Sequence, residues 1–168
     1  MAGAALLLLA ATTASQPYPA AEVLNAFQTA CALTRKFERL EKQLPKKGWQ
    51  ALPEGAEPRI AQLVTKGKAA LEDGEKLEGR EYRKTVAGRQ LYLVTSRVTD
   101  KSGIWASGCR LYDFEAGAPI ADAKLVEWMK REPTHKQELP NGGVIRKWEP
   151  GWRNGVAVDV DFAGHGGE

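Results

Sequence analysis

Residues that carry most enzyme chemistry are scarce in this sequence. It has two histidines and two cysteines. His135 lies in a stretch that reads as a loop, and His165 lies in a glycine-rich tail. Neither has a second His, Cys or carboxylate at metal-ligand spacing, so no metal is expected. No Gly-x-Ser-x-Gly elbow is present to hold a hydrolase nucleophile. No P-loop and no Gly-x-Gly-x-x-Gly after a strand is present, so no phosphate-bearing cofactor is expected either. The chain lacks an apolar run of about 20 residues, and no membrane span is predicted. An excess of one charge sign is missing too. The net charge of +3 is too small to suggest the concentrated basic face that nucleic acid requires. Arg80, Arg83, Lys84 and Arg89 with Tyr82 and Tyr92 come nearest to one, and Glu78 and Glu81 dilute it.

One short apolar run is present. Ala4 to Ala11 contains Leu6–Leu9 and leads into the small residues Thr12-Thr13-Ala14-Ser15. That pattern is the apolar core and cleavage region of a secretory signal peptide, here residues 1–15, although no Lys or Arg precedes the run. Cys31 follows too late for a lipid anchor. The expected home is periplasmic or secreted, and a cytosolic basic domain with a misassigned start is the alternative. In an exported chain Cys31 and Cys109 are most simply a disulfide, with two buried thiols as the other possibility. Closing a loop of about 79 residues stabilises a fold by ~4.5 kcal/mol in the chain-entropy picture, with 2–4 kcal/mol the commoner outcome.

The remainder, residues 16–163, reads as one α+β domain, with 164–168 as a flexible tail. A helix is predicted from Ala20 to Leu44, since Val23, Phe27, Ala30, Cys31, Thr34, Phe37 and Leu44 keep close to a 3.6-residue period. Pro45 stops it, and Lys46-Lys47 read as a solvated helix end. A second helix begins at Pro58. Charged residues 75–80 read as exposed. Strands follow at 81–86, 90–98 and 104–114, the last carrying Cys109 and reading as the centre of the sheet. A crossover helix spans 120–131, residues 133–141 read as a loop, and a final hairpin joins 143–152 to 155–162 through Asn154-Gly155. The total is about five mainly antiparallel strands, two N-terminal helices and one crossover helix, with the crossover allowing one parallel pair.

Candidate site residues are few. Trp148 and Trp152 flank Pro150-Gly151 near a hairpin tip, where an exposed indole stacks on a sugar, peptide or protein surface; the alternative is that both fold back over the sheet. Trp49 either covers the core edge or stacks on a ligand. Asp159 and Asp161 share one face of the last strand, and Asp113 and Glu115 repeat the spacing. Such pairs suit a hard cation or carboxylate hydrolysis, or they are a solvated face that discourages edge pairing.

At Phe27-x-x-x-Cys31, Gly48-Trp49 and Cys109 the chain resembles small exported bacterial proteins that carry no assigned function, over about its first two-thirds. The resemblance implies a signal peptide, a periplasmic or secreted location and a disulfide, and brings no catalytic residues. The expected function is therefore a non-enzymatic exported domain that binds an envelope component, a small ligand or a protein partner. An envelope hydrolase using Asp159 and Asp161 is the runner-up.

Overall fold

The computed structural model describes residues 17–153 and 155–164. The expected signal peptide, Asn154 of the last hairpin, His165 and the rest of the tail after Gly164 lie outside them.

The chain enters through Pro19 into α1 (Ala20–Cys31), whose first turn carries Glu22, a favourable charge at the positive end of the helix dipole. The helix expected to reach Leu44 is instead broken. The Thr34 main-chain N–H and hydroxyl both donate to the Cys31 carbonyl, at 3.0 and 2.6 Å, and close a turn. A new helix, α2 (Phe37–Gln43), then starts, burying Phe37 and Leu40. Apolar spacing runs unbroken across the turn, so periodicity alone does not reveal it. A short 3-10 turn at Pro45–Lys47 and strand β1 (Gln50–Leu52) follow. Helix α3 (Pro58–Ala69) opens with Pro58, whose missing N–H costs nothing there, and the Glu57 side chain accepts from the Arg59 N–H.

Three antiparallel strands come next: β2 (Lys76–Val86), β3 (Arg89–Thr99) and β4 (Trp105–Tyr112). Ala87 and Gly88, both at positive φ, make the two-residue turn between β2 and β3. Residues 76–80 of the charged stretch, expected to precede the first strand, form the first half of β2 and pair with the far half of β3. After α4 (Asp122–Met129) come β5 (His135–Glu138), β6 (Val144–Trp148) and β7 (Val158–Phe162). Strand β5 lies in the stretch expected to be a loop.

Among the described residues seven strands thus build two sheets rather than one of five, in the orders β1-β2-β3-β4 and β5-β6-β7. Every described pairing is antiparallel, and the crossover through α4 joins the two sheets instead of creating a parallel pair. The stretch around Cys109 is an edge strand, not the central one. It is apolar on both faces for another reason. On one face Cys109 and Leu111 pack toward the α1 side. On the other, Tyr112 stacks on Phe114, and the Arg59 guanidinium of α3 sits 4.3 Å from the Phe114 ring.

Helix α1 is shared between the two sheets. Val23, Ala30 and Cys31 join Leu40, Leu44, Trp49, Tyr82, Leu91 and Leu93 in one core. Leu24 joins Leu125, Trp148 and Val158 in the other, and Phe27 packs against both. The expected disulfide is present: Cys31 and Cys109 are bonded, with their Cα atoms 5.6 Å apart across 78 positions of sequence. It fastens the C-terminal end of α1 to β4. No helix among the described residues is long and apolar enough to cross a membrane.

Candidate functional site

A groove of about 370 Å³ lies between α1 and the end of β2, at the small end of the range for ligand sites. One wall is the helix face Glu22, Asn25, Ala26 and Thr29, whose i, i+3, i+4, i+7 spacing sets these side chains in a row. That row lies beside the apolar stripe of the same helix, so α1 buries one side and leaves a polar strip along the groove. Lys84, Thr85 and Val86 of β2 form the facing wall, and Lys47 and Trp49 close the end.

The two lysines are fixed by the main chain. The Lys47 ammonium donates to the Thr29 carbonyl at 2.6 Å, near the C-terminal end of α1, where a cation suits the helix dipole. The Lys84 ammonium donates to the carbonyl of Lys47 itself at 2.7 Å and lies 5.9 Å from the Trp49 ring centroid. Among the described residues no carboxylate lies within ion-pair distance of either. Elsewhere the basic side chains drawn together in the sequence are dispersed to separate partners. Arg80 meets Glu41 at 3.5 Å, and Arg83 donates to Gln50 at 2.9 Å. Arg89 grips Asp113 with two bonds of 2.9 and 2.7 Å.

The tryptophans take different places. Trp148 is fully buried, with its indole N–H donating to the Arg131 carbonyl at 3.1 Å, so its ring is closed to a ligand. Trp152 is half-buried in an aromatic cluster, with ring centroids 5.4 Å from Phe27 and 5.6 Å from Trp128. Trp49 is buried in the first core, yet it is the one of the three that also lines the groove.

Of the acidic pairs, Asp113 is a structural clamp. Burial alone would raise its carboxyl, but the bonds from Arg89 and from the Tyr18 hydroxyl outweigh this and hold it below the usual range. Glu115 pairs with Arg59 at 3.0 Å. Asp159 and Asp161 stand on the exposed face of β7, at the edge of its sheet. Local desolvation and the neighbouring Asp159 push the Asp161 carboxyl upward. Among the described residues no group of three His, Cys, Asp or Glu side chains is placed to hold a metal ion. A second hollow of about 310 Å³ lies between Glu149-Pro150 and Gly155–Ala157. Its one charged side chain, Glu149, is already paired with Lys147 at 2.8 Å.

Sequence reasoning did not assemble the groove, because its residues arrive from three elements. Lys47 reads as a solvated helix end and Lys84 as part of a diluted basic patch. The available signal is the polar row 22, 25 and 29 running beside the apolar stripe of α1. Comparison with protein-family models, with curated proteins and with solved structures found no match.

Proposed function

We propose that this chain is an exported domain that binds a ligand without turning it over, and that the groove between α1 and β2 is where it binds. The observation that carries the site is the pairing of Lys47 and Lys84, held at the groove by main-chain carbonyls with no carboxylate among the described residues within ion-pair distance. Charged groups that only solubilise a surface need no such anchoring. Export is supported by the apolar run of residues 4–11 and by the Cys31–Cys109 disulfide, a bond that persists in oxidising compartments. The partner is then an envelope component, a small ligand or another protein of the periplasm or exterior.

The test has two parts. Intact mass of natively expressed protein, with thiols blocked and no reductant, is expected to show loss of about 14 or 15 residues and two unblocked cysteines. A full-length mass with both thiols alkylated overturns export. A panel of envelope polymers and peptides is then expected to give saturable binding without turnover. Turnover abolished by Asp159→Asn overturns the binding reading in favour of an envelope hydrolase, for which the raised Asp161 carboxyl beside Asp159 is the supporting observation.

A further inference from the structure

We infer that the groove selects a small ligand by an anionic oxygen group, a carboxylate or a phosphate, seated between the ammonium groups of Lys47 and Lys84. This rests on the binding reading above and names the chemistry of its ligand. An ammonium has three donors. Each lysine commits one of them, Lys47 to Thr29 and Lys84 to Lys47. Four N–H donors and two positive charges are left at one end of the groove, with no acid to take them among the described residues.

The two anchors are linked in series. The Lys84 ammonium is bonded to the main-chain carbonyl of the residue whose own ammonium is bonded to α1, so both side chains are anchored along the groove lining. An anion seated between them forms charge-assisted hydrogen bonds with both ammonium groups. The rest of the groove decides what is attached to the anion. Ala26 and Val86 offer an apolar surface, with the buried Trp49 ring at its edge, and the Asn25 amide offers a polar one. Glu22, also on the groove wall, lies two helical turns from Thr29, roughly 10 Å away at 1.5 Å per residue. It repels a second anionic group at that end, so the ligand carries its negative charge at one end only.

The probes are hexanoate, inorganic phosphate and hexylammonium, titrated into the disulfide-intact chain and followed by amide and indole NMR shifts. Hexanoate, phosphate or both are expected to move the Trp49 indole and Lys84 amide signals saturably, in roughly the millimolar range. Hexanoate acting alone identifies a carboxylate ligand, and phosphate acting alone a phosphate one. Lys47→Gln with Lys84→Gln is expected to weaken binding at least about tenfold, while Lys47→Arg and Lys84→Arg, which keep charge and donors, retain it. Equal shifts in the wild type and the glutamine variant overturn the inference. Saturable binding of hexylammonium with neither anion bound overturns the anion preference and leaves the groove as a binding site. Silence from all three probes overturns both.

Discussion

The two sheets of this protein are held together differently. In the first, β2 and β3 each run for 11 residues, and the described core gathers nine buried residues and the disulfide. In the second, the strands run for four or five residues, and the described core gathers four, of which one is Trp148. A short sheet with a small core concentrates its stability in few side chains, because each buried apolar group contributes in proportion to the area it removes from water. A long sheet spreads the same task over many. The buried charges follow the same contrast. Arg146, 5% exposed, is met by Asp122 at 2.5 Å in the second sheet. Glu81, 6% exposed, is left in the first with its Oε2 lacking a partner among the described residues.

The largest expected effect is therefore in the second sheet. Trp148→Ala removes the biggest fully buried side chain of the protein and frees the Arg131 carbonyl it caps, at a cost of about 3–5 kcal/mol. Hydrogen exchange is expected to show protection lost across β5–β7 while the β2–β3 amides stay protected. Equal loss in β2–β3 would mean that α1 couples the two sheets into one cooperative unit and would erase the contrast.

Next comes the disulfide. Replacing both cysteines by serine, or reducing them, is expected to lower stability by about 2–4 kcal/mol, read as a shift in the urea midpoint. Since Cys31 sits on the helix that both cores share, amides of α1 should lose protection first. Both sheets should weaken together, more evenly than after Trp148→Ala. A loss confined to β4 would show that the bond fastens an edge strand and does little for α1.

These contrasts also explain what could be read from the chain alone. The pairing of the two cysteines follows from their number in a chain that reads as exported, and the alternation of Val158, Val160 and Phe162 against Asp159 and Asp161 is written in local pattern. The break after Cys31 is not, because Thr34 and Phe37 keep the helical phase straight through it. Nor is the edge position of β4, whose apolar outer face is satisfied by Phe114 and Arg59 rather than by a neighbouring strand. Strand β5 was hidden because all four of its residues are exposed, leaving no alternation to detect. The groove was legible only in pieces. Its two lysines lie 37 positions apart and meet through main-chain bonds that side-chain patterns do not encode.

The smallest effect sharpens the comparison of buried charges, and its sign is opposite to the others. Burial pushes the Glu81 carboxyl above its ordinary value, with the Gly55 N–H pulling it back and Glu54 raising it further. A carboxyl whose folded pKa is raised binds its proton more tightly in the folded chain than in the unfolded one. Its contribution is fully present below the unfolded value and is lost as pH climbs through the folded one. At neutral pH this side chain therefore contributes less to stability than it does in acid. Glu81→Gln keeps the shape and an acceptor for the Gly55 N–H while removing the charge. It should stabilise the protein at pH 7 by about 1 kcal/mol, with the gain shrinking toward zero below about pH 4. Urea midpoints of the two proteins across that range measure it. A variant less stable at pH 7 would mean that the ionised carboxylate is held by a favourable interaction, and the first sheet would then satisfy its buried charge as fully as the second satisfies Arg146.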